Sequence, residues 1–108
     1  MKALQIGDLK IKLPIIQGGM GIGISMSKLA SAVANEGGIG VIAAVGIGMF
    51  EKDSAKNFLE ANMRALKREI PTAREKTNGI IGVNIMVALT NFSDLVKTAL
   101  AEKADIIF

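Results

Sequence analysis

No cysteine, histidine, tryptophan or tyrosine occurs in these 108 residues, and the four aromatics are all phenylalanine. Each absence closes a class of chemistry. Without cysteine there are no disulfides and no thiolate metal sites, and the lack fits a cytoplasmic location. Without histidine the commonest general base and metal ligand is gone, so no metal site is expected. Neither a Ser-His-Asp nor a Cys-His nucleophile can be assembled from this chain. The longest uncharged run, Thr77 to Ser93, holds three asparagines as well as threonine and serine. It makes a poor membrane span, which needs about 20 predominantly apolar residues. The opening residues, Met1 to Asp8, lack the apolar stretch of a signal peptide.

The net charge is +3, but the excess does not form a one-signed patch. It lies between Lys52 and Lys76, where seven basic and four acidic residues are mixed. Mixed signs at helical spacing read as a solvated face. Clustered cations interleaved with stacking aromatics are missing, so nucleic-acid binding is not expected.

What remains is apolar and glycine-rich: half the residues are hydrophobic and 12 are glycine. One domain fits this length, burying roughly two-thirds of its unfolded surface. Leu9 to Leu13 alternates with Lys10 and Lys12, which suits a short half-exposed strand. Pro14-Ile15-Ile16-Gln17 reads as a buried strand with proline at its first position. The turn Gly18-Gly19-Met20-Gly21-Ile22-Gly23 follows, and Ser25 or Ser27 can cap the next helix. Met26, Leu29, Ala30, Val33 and Ala34 form that helix's stripe, and Gly37-Gly38 ends it.

Ile39 to Val45 is apolar without alternation, as in a strand covered on both faces. A long helix is expected to begin near Asp53 or Ser54. Its stripe is Ala55, Phe58, Leu59, Asn62, Met63, Leu66 and Ile70, and Pro71 is expected to end or kink it. Ile80 to Val87 is the third strand. Ser93 caps a third helix with Leu95, Val96, Ala99 and Leu100 inside, and Ala104 to Phe108 opens a fourth strand.

The fold class is therefore α/β with the order βαβαβαβ. Buried strands in that order predict parallel pairing with right-handed crossovers. Two architectures satisfy it: a small doubly wound sheet, or the amino-terminal part of a (βα)8 barrel. Phe108 stops what reads as an unfinished strand, so residues 1–108 are expected to be a single segment truncated in the fourth strand.

Two features suggest a binding site. Gly18, Gly19, Gly21 and Gly23 lie between a strand and a helix, where backbone can approach a phosphate or a ring closely. Their spacing is not the dinucleotide fingerprint, and no acid stands at the end of the next strand to hold a ribose. Met20, among these glycines, either fills the core beneath the turn or sits against a flat aromatic cofactor. Asn84 interrupts an apolar strand near its carboxyl end, where such folds bind ligands. A buried amide needs a partner, and that partner is either a ligand or a neighbouring loop. Gly37, Gly38 and Gly40 sit at the opposite, amino-terminal face and read as a helix stop and close packing.

Together, Pro14-Ile15-Ile16-Gln17-Gly18-Gly19-Met20-Gly21, the helix around Leu29-Ala30 and Ala32-Val33-Ala34, Gly37-Gly38-Ile39-Gly40-Val41-Ile42 and Gly82-Val83-Asn84-Ile85-Met86 resemble the flavin-dependent nitronate monooxygenases. The same patterns are similar to those of the flavin-type enoyl-acyl-carrier-protein reductases. Gly21-Ile22-Gly23-Ile24-Ser25 is closer to the nitronate branch. The resemblance implies an FMN-binding TIM barrel, with Gly19, Met20 and Gly21 along the isoalloxazine and Asn84 hydrogen-bonded to FMN.

It implies oxidation of an alkyl nitronate with O2 to a carbonyl compound and nitrite. In the alternative, NAD(P)H reduces an enoyl thioester through FMN. The catalytic base and the loops that hold the FMN phosphate are expected beyond Phe108. Oligomeric state is left open, a homo-oligomer included. A different class of function, a non-catalytic half-barrel assembly module, is motivated by the missing histidine.

Overall fold

The computed structural model describes residues 1–108. Its elements are β1 (Leu4–Ile6), β2 (Leu9–Ile11), α1 (Ser27–Asn35), β3 (Ile39–Ala43), α2 (Phe58–Lys76), β4 (Ile80–Asn84), α3 (Phe92–Ala101) and β5 (Ile106–Ile107). β3, β4 and β5 pair in parallel and in chain order, with Ile39 opposite Ile80 and Gly82 opposite Ile106. The expected strand at Pro14–Gln17 joins β3 by a single parallel bridge, Ile16 to Ile39. Its hydrogen bonds are Ile39 N–H to the Ile15 carbonyl (2.9 Å) and Gln17 N–H to the Ile39 carbonyl (3.1 Å).

This arrangement decides between the two architectures. The strand order never reverses, so there is no switch point of the doubly wound kind. All three helices pack on one face of the sheet, around Ile42, Ala44, Ile81, Val83 and Ile85. A doubly wound sheet would carry helices on both faces. Sequential parallel strands with every helix outside define the opening of a (βα)8 barrel. The inner face carries Ile39 and Val41 and, on β4, Ile80, Gly82 and Asn84.

An antiparallel hairpin, β1–β2, covers the amino-terminal end of that inner face and precedes the expected order. Its loop is Gly7-Asp8, and Gly7 has φ +56°, the left-handed conformation that a two-residue hairpin loop requires. Ile11 is fully buried against Ile39 and Val41, with Leu4, Ile6 and Leu9 around them. The alternation at Leu9, Lys10 and Ile11 is real, but its apolar side faces the barrel interior.

The helices differ from the sequence reading in ways that matter for the site. On α1 the buried side chains are Ser27, Ala30, Ser31 and Ala34. Leu29 is exposed instead, while Val33 lines an open groove of about 300 Å3 with Leu13, Ile15 and Ala32. Small residues face the sheet because α1 and β3 approach closely at Gly40. Neither Ser25 nor Ser27 caps the helix with its side chain. The first N–H, that of Ser27, instead donates to Glu69 Oε1 on α2 (3.1 Å). A carboxylate there also favours the helix dipole.

α2 starts at Phe58, later than expected, and runs past Pro71 to Lys76. Pro71 is exposed, so the Lys67 carbonyl that it leaves unpaired can bond water. In α3, Leu95 and Ala99 are buried but Leu100 points outward, 60% exposed. Ser93 provides no cap; Asn91 occupies that position. At the amino ends of the strands, Arg74 reaches from α2 to the Gly79 carbonyl (2.8 Å) and to Asp105. Asp105 Oδ2 in turn accepts the Ile81 N–H (2.9 Å), tying α2 to the entries of β4 and β5.

Candidate functional site

The carboxyl ends of the strands carry three loops: residues 17–26 after the first strand, 44–57 after β3 and 85–91 after β4. The first two interlock through their glycines. A Cβ at Gly21 would lie 2.3 Å from Val45 Cγ1, and one at Gly46 would lie 2.9 Å from Ile22 Cδ1. At Gly23, with φ +75°, the corresponding space is taken by the Phe50 ring at 2.5 Å. Gly21 and Gly46 therefore serve loop-against-loop packing, whatever else the turn contacts.

The second loop is fastened to α2. Asn62, buried, accepts the Gly48 N–H with its Oδ1 (2.8 Å). Arg68 pairs with Glu51 (2.6 Å), and Arg64 pairs with both Glu51 (3.6 Å) and Asp53. These bonds explain the late start of α2: Asp53 and Ser54 are good caps, but their stretch is held in turns against the helix. The Arg64 hydrogen bond holds the Asp53 carboxyl below its ordinary range, against a smaller opposing desolvation, and the Asn57 hydrogen bond adds to it. Arg64 is raised in return, chiefly by its hydrogen bond to Asp53.

A lowered carboxyl stabilises above its ordinary pKa, and that contribution is lost as pH falls through the lowered value. Acidification below the carboxylate range is thus expected to loosen residues 49–56 without unfolding the core. Limited proteolysis at Lys52 and Lys56 across pH checks this, and Asp53→Asn should give severalfold faster cleavage already at neutral pH. Both groups are solvent-accessible, so overall stability is expected to change little.

Each sequence-predicted site residue lies at this end of the sheet. Asn84 ends β4 on the inner face and is partly buried. Its carbonyl accepts the Ala44 N–H (3.0 Å), while its side-chain amide makes no hydrogen bond within the chain. Gly19 lies against it: a Cβ there would be 2.9 Å from Asn84 Cβ and 3.1 Å from Oδ1. The Met20 side chain is 59% exposed and does not fill the core. The N–H groups of Gly18, Gly19 and Gly21 have no partner in the chain, whereas Met20 has both backbone groups paired to Ser25.

Sequence reasoning misses three further residues of the site. Gln17 and Ser25 bond to each other at the base of the turn (3.0 Å). A polar residue closing an apolar strand is the same signal that marks Asn84, and Gln17 carries it too. Asn91, in the third loop, is buried with its Nδ2 unpaired. Leaving such a donor unpaired costs about 1–3 kcal/mol.

The site thus gathers free backbone N–H donors and a free amide beneath an exposed thioether, at the carboxyl ends of parallel strands. No helix of the structure is long and apolar enough to cross a membrane, and no cluster of acidic residues could hold a metal ion. The fold defines part of an α/β barrel, with the candidate site at the end of the strands where such barrels bind ligands.

The chain belongs to the nitronate monooxygenase family, whose sequence profile matches residues 2–107. Probable nitronate monooxygenases of Staphylococcus aureus, strains JH9 and Newman, are 38% identical over 79 residues, 73% of this chain. The chain spans 18% of the length of those relatives. Among solved structures, FabK from Thermotoga maritima superposes with a TM-score of 0.68 at 31% identity, covering 90% of this chain and 26% of that one. A mutant form of the same protein superposes equally well and is covered over 28% of its length.

Proposed function

We propose that this chain supplies the amino-terminal share of an FMN site in an oxidoreductase that converts alkyl nitronates and O2 to carbonyl compounds and nitrite. The observation that carries the reading is the presence, at one end of the sheet, of free Gly18, Gly19 and Gly21 N–H groups and the unpaired Asn84 amide. A flat heterocycle with ring carbonyls and nitrogens is what such donors fit. Gly19 and Gly21 would donate from the backbone, Asn84 from β4, and the Met20 side chain would lie against the ring. The space a Cβ would fill at Gly18 is open, so an approaching ligand meets only backbone there.

Bound FMN would supply the electron transfer from substrate to O2; the protein's part is to hold the ring and exclude competing reactions. Residues 18–26 and 85–93 contain no titratable side chain, so this part of the site binds and orients but moves no proton. The apolar Ile22, Ile24, Met86 and Val87 are exposed beside it, which suits a small substrate with an alkyl body. A second reading, NAD(P)H-dependent reduction of an enoyl thioester, shares the same flavin contacts and is favoured by the sequence resemblance to flavin-type enoyl reductases.

The full-length protein should purify yellow and release flavin on denaturation. Oxygen uptake with alkyl nitronate supports the first reading, and NADH-dependent enoyl reduction without nitronate turnover supports the second. A colourless protein that takes up no FMN points to an assembly module instead. Asn84→Ala is expected to weaken FMN binding about tenfold, since one hydrogen bond from its amide is worth about 1–1.5 kcal/mol. Thermal stability should hardly change, because that amide bonds nothing in the chain. Flavin fluorescence titration decides it, and an unchanged affinity removes Asn84 from the site.

A further inference from the structure

Residues 18–24 leave β3 at one point and return at another, and both points are fixed by groups that the proposed flavin contacts do not use. At the departure, the Gln17 N–H makes the last backbone rung, to Ile39. The next rung is made by its side chain. Oε1 accepts the Val41 N–H (3.1 Å), and Nε2 donates to the Val41 carbonyl (3.1 Å). A primary amide thus stands in for a peptide unit and satisfies the edge of β3 after the backbone has turned away. At the return, the Ser25 carbonyl accepts the Ala43 N–H (2.9 Å).

The two ends are joined, Gln17 Nε2 donating to Ser25 Oγ (3.0 Å). Ser25 is 1% exposed and reaches back into the middle of the turn. Its Oγ accepts the Met20 N–H (2.9 Å), and its own N–H donates to the Met20 carbonyl (2.9 Å). Both acceptor lone pairs of the hydroxyl are thereby used.

We infer that Gln17 and Ser25 are positioning residues that hold the turn in its cofactor-binding shape. The inference rests on the reading of that turn as an FMN contact. By engaging both backbone groups of Met20, the pair leaves the N–H groups of Gly19 and Gly21 as donors and fixes where they and the Met20 side chain point. A seven-residue arc containing four glycines would otherwise sample many conformations, and binding would have to order it. Neither clamp residue carries a charge, so its effect does not depend on pH or salt.

The test uses the full-length protein, with FMN fluorescence titration and hydrogen exchange of the peptide spanning residues 18–24. Ser25→Ala removes the acceptor for Met20 and for Gln17. It is expected to raise the FMN dissociation constant about tenfold and to accelerate exchange in that peptide. Gln17→Met, similar in shape but without the amide, should move both readouts in the same direction. Ser25→Thr keeps the oxygen and should restore both.

Ser31→Ala is the control for a merely structural role. Ser31, on α1, is another buried hydroxyl; it bonds the Lys28 carbonyl (3.1 Å) and no residue of the turn. It should leave FMN affinity within about twofold. Ser25→Ala binding FMN as tightly as the parent, or Ser31→Ala weakening it equally, overturns the inference. If the parent binds no FMN, the reading of the site has failed. The clamp is then judged by exchange alone, where unchanged protection in Ser25→Ala overturns it and selective loss over residues 18–24 upholds it.

Discussion

Gly40→Ala is expected to remove a large share of the protein's stability. The added Cβ would lie 1.8 Å from the Ala30 carbonyl oxygen, 2.5 Å from its carbon and 2.9 Å from Ala30 Cα. All three atoms are backbone, so no side-chain rotation relieves the overlap. Relief requires α1 to back away from β3 by more than an ångström. That helix is held at both ends: Ser27 N–H bonds Glu69, and Asn35 Nδ2 donates to the Lys76 carbonyl (3.1 Å). Its buried side chains are alanine and serine, so there is no long side chain whose repacking could absorb the shift.

Overpacking a core costs about 1–3 kcal/mol, occasionally more, and this position belongs at or beyond the upper end. Against a total of about 5–15 kcal/mol, a loss above about 3 kcal/mol leaves a protein that is hard to recover in soluble form. Urea denaturation followed by circular dichroism, or soluble yield where no transition is seen, measures it. A midpoint close to the parent's would show that α1 slides more freely than its hydrogen bonds suggest.

Leu66→Ala is the second large effect, expected at about 2–5 kcal/mol. Leu66 is fully buried in the layer between the helices and the sheet, in one cluster with Ile42, Ile81 and Val83. Alanine is the best helix former, so the substitution costs α2 nothing in propensity, and the loss is one of packing. Leu59 lies on the same helix and is 46% exposed. Leu59→Ala should therefore change stability by less than about 1 kcal/mol. Equal losses at the two positions would mean that α2 is oriented differently on the sheet.

The parts of the fold carried by long, one-sided patterns are legible in the residues alone. β3, β4 and the three helices lie where apolar runs and helical spacing place them, and Gly40 makes the close approach expected of it. What escapes such reading depends on distant partners. Ser25 has the composition of a helix cap and lies where a cap would lie, but Met20 and Gln17 compete for its oxygen. The helix finds its first acceptor on Glu69, 42 residues further along the chain. Asp53 and Ser54 likewise lose their capping role to Arg64 and to the local turns. The first strand of the hairpin, Leu4–Ile6, has three residues, too few for alternation to stand out from chance.

The candidate site divides the same way. Asn84 announces itself because polarity in an apolar strand is a local anomaly, and Gly19 and Met20 because glycine clusters are. That the Gly21 Cα packs against Val45 while its N–H stays free is a fact of three-dimensional placement, and no spacing rule contains it. Asn91 gives no signal at all, since asparagine before a helix is ordinary.

The alternation along β4 makes strand length, and not only residue type, part of the site's specification. Ile80, Gly82 and Asn84 point inward while Ile81 and Val83 point toward the helices. A single-codon deletion or insertion within Gly79–Val83 would exchange the two sets. Asn84 would turn into the helix layer, and isoleucine or valine would take its place beside Gly19. Divergence within such a lineage can exchange one apolar residue for another along this strand but can change length only in the loops, so gaps that fall inside β4 in a new relative would mark a chain that has given up this arrangement.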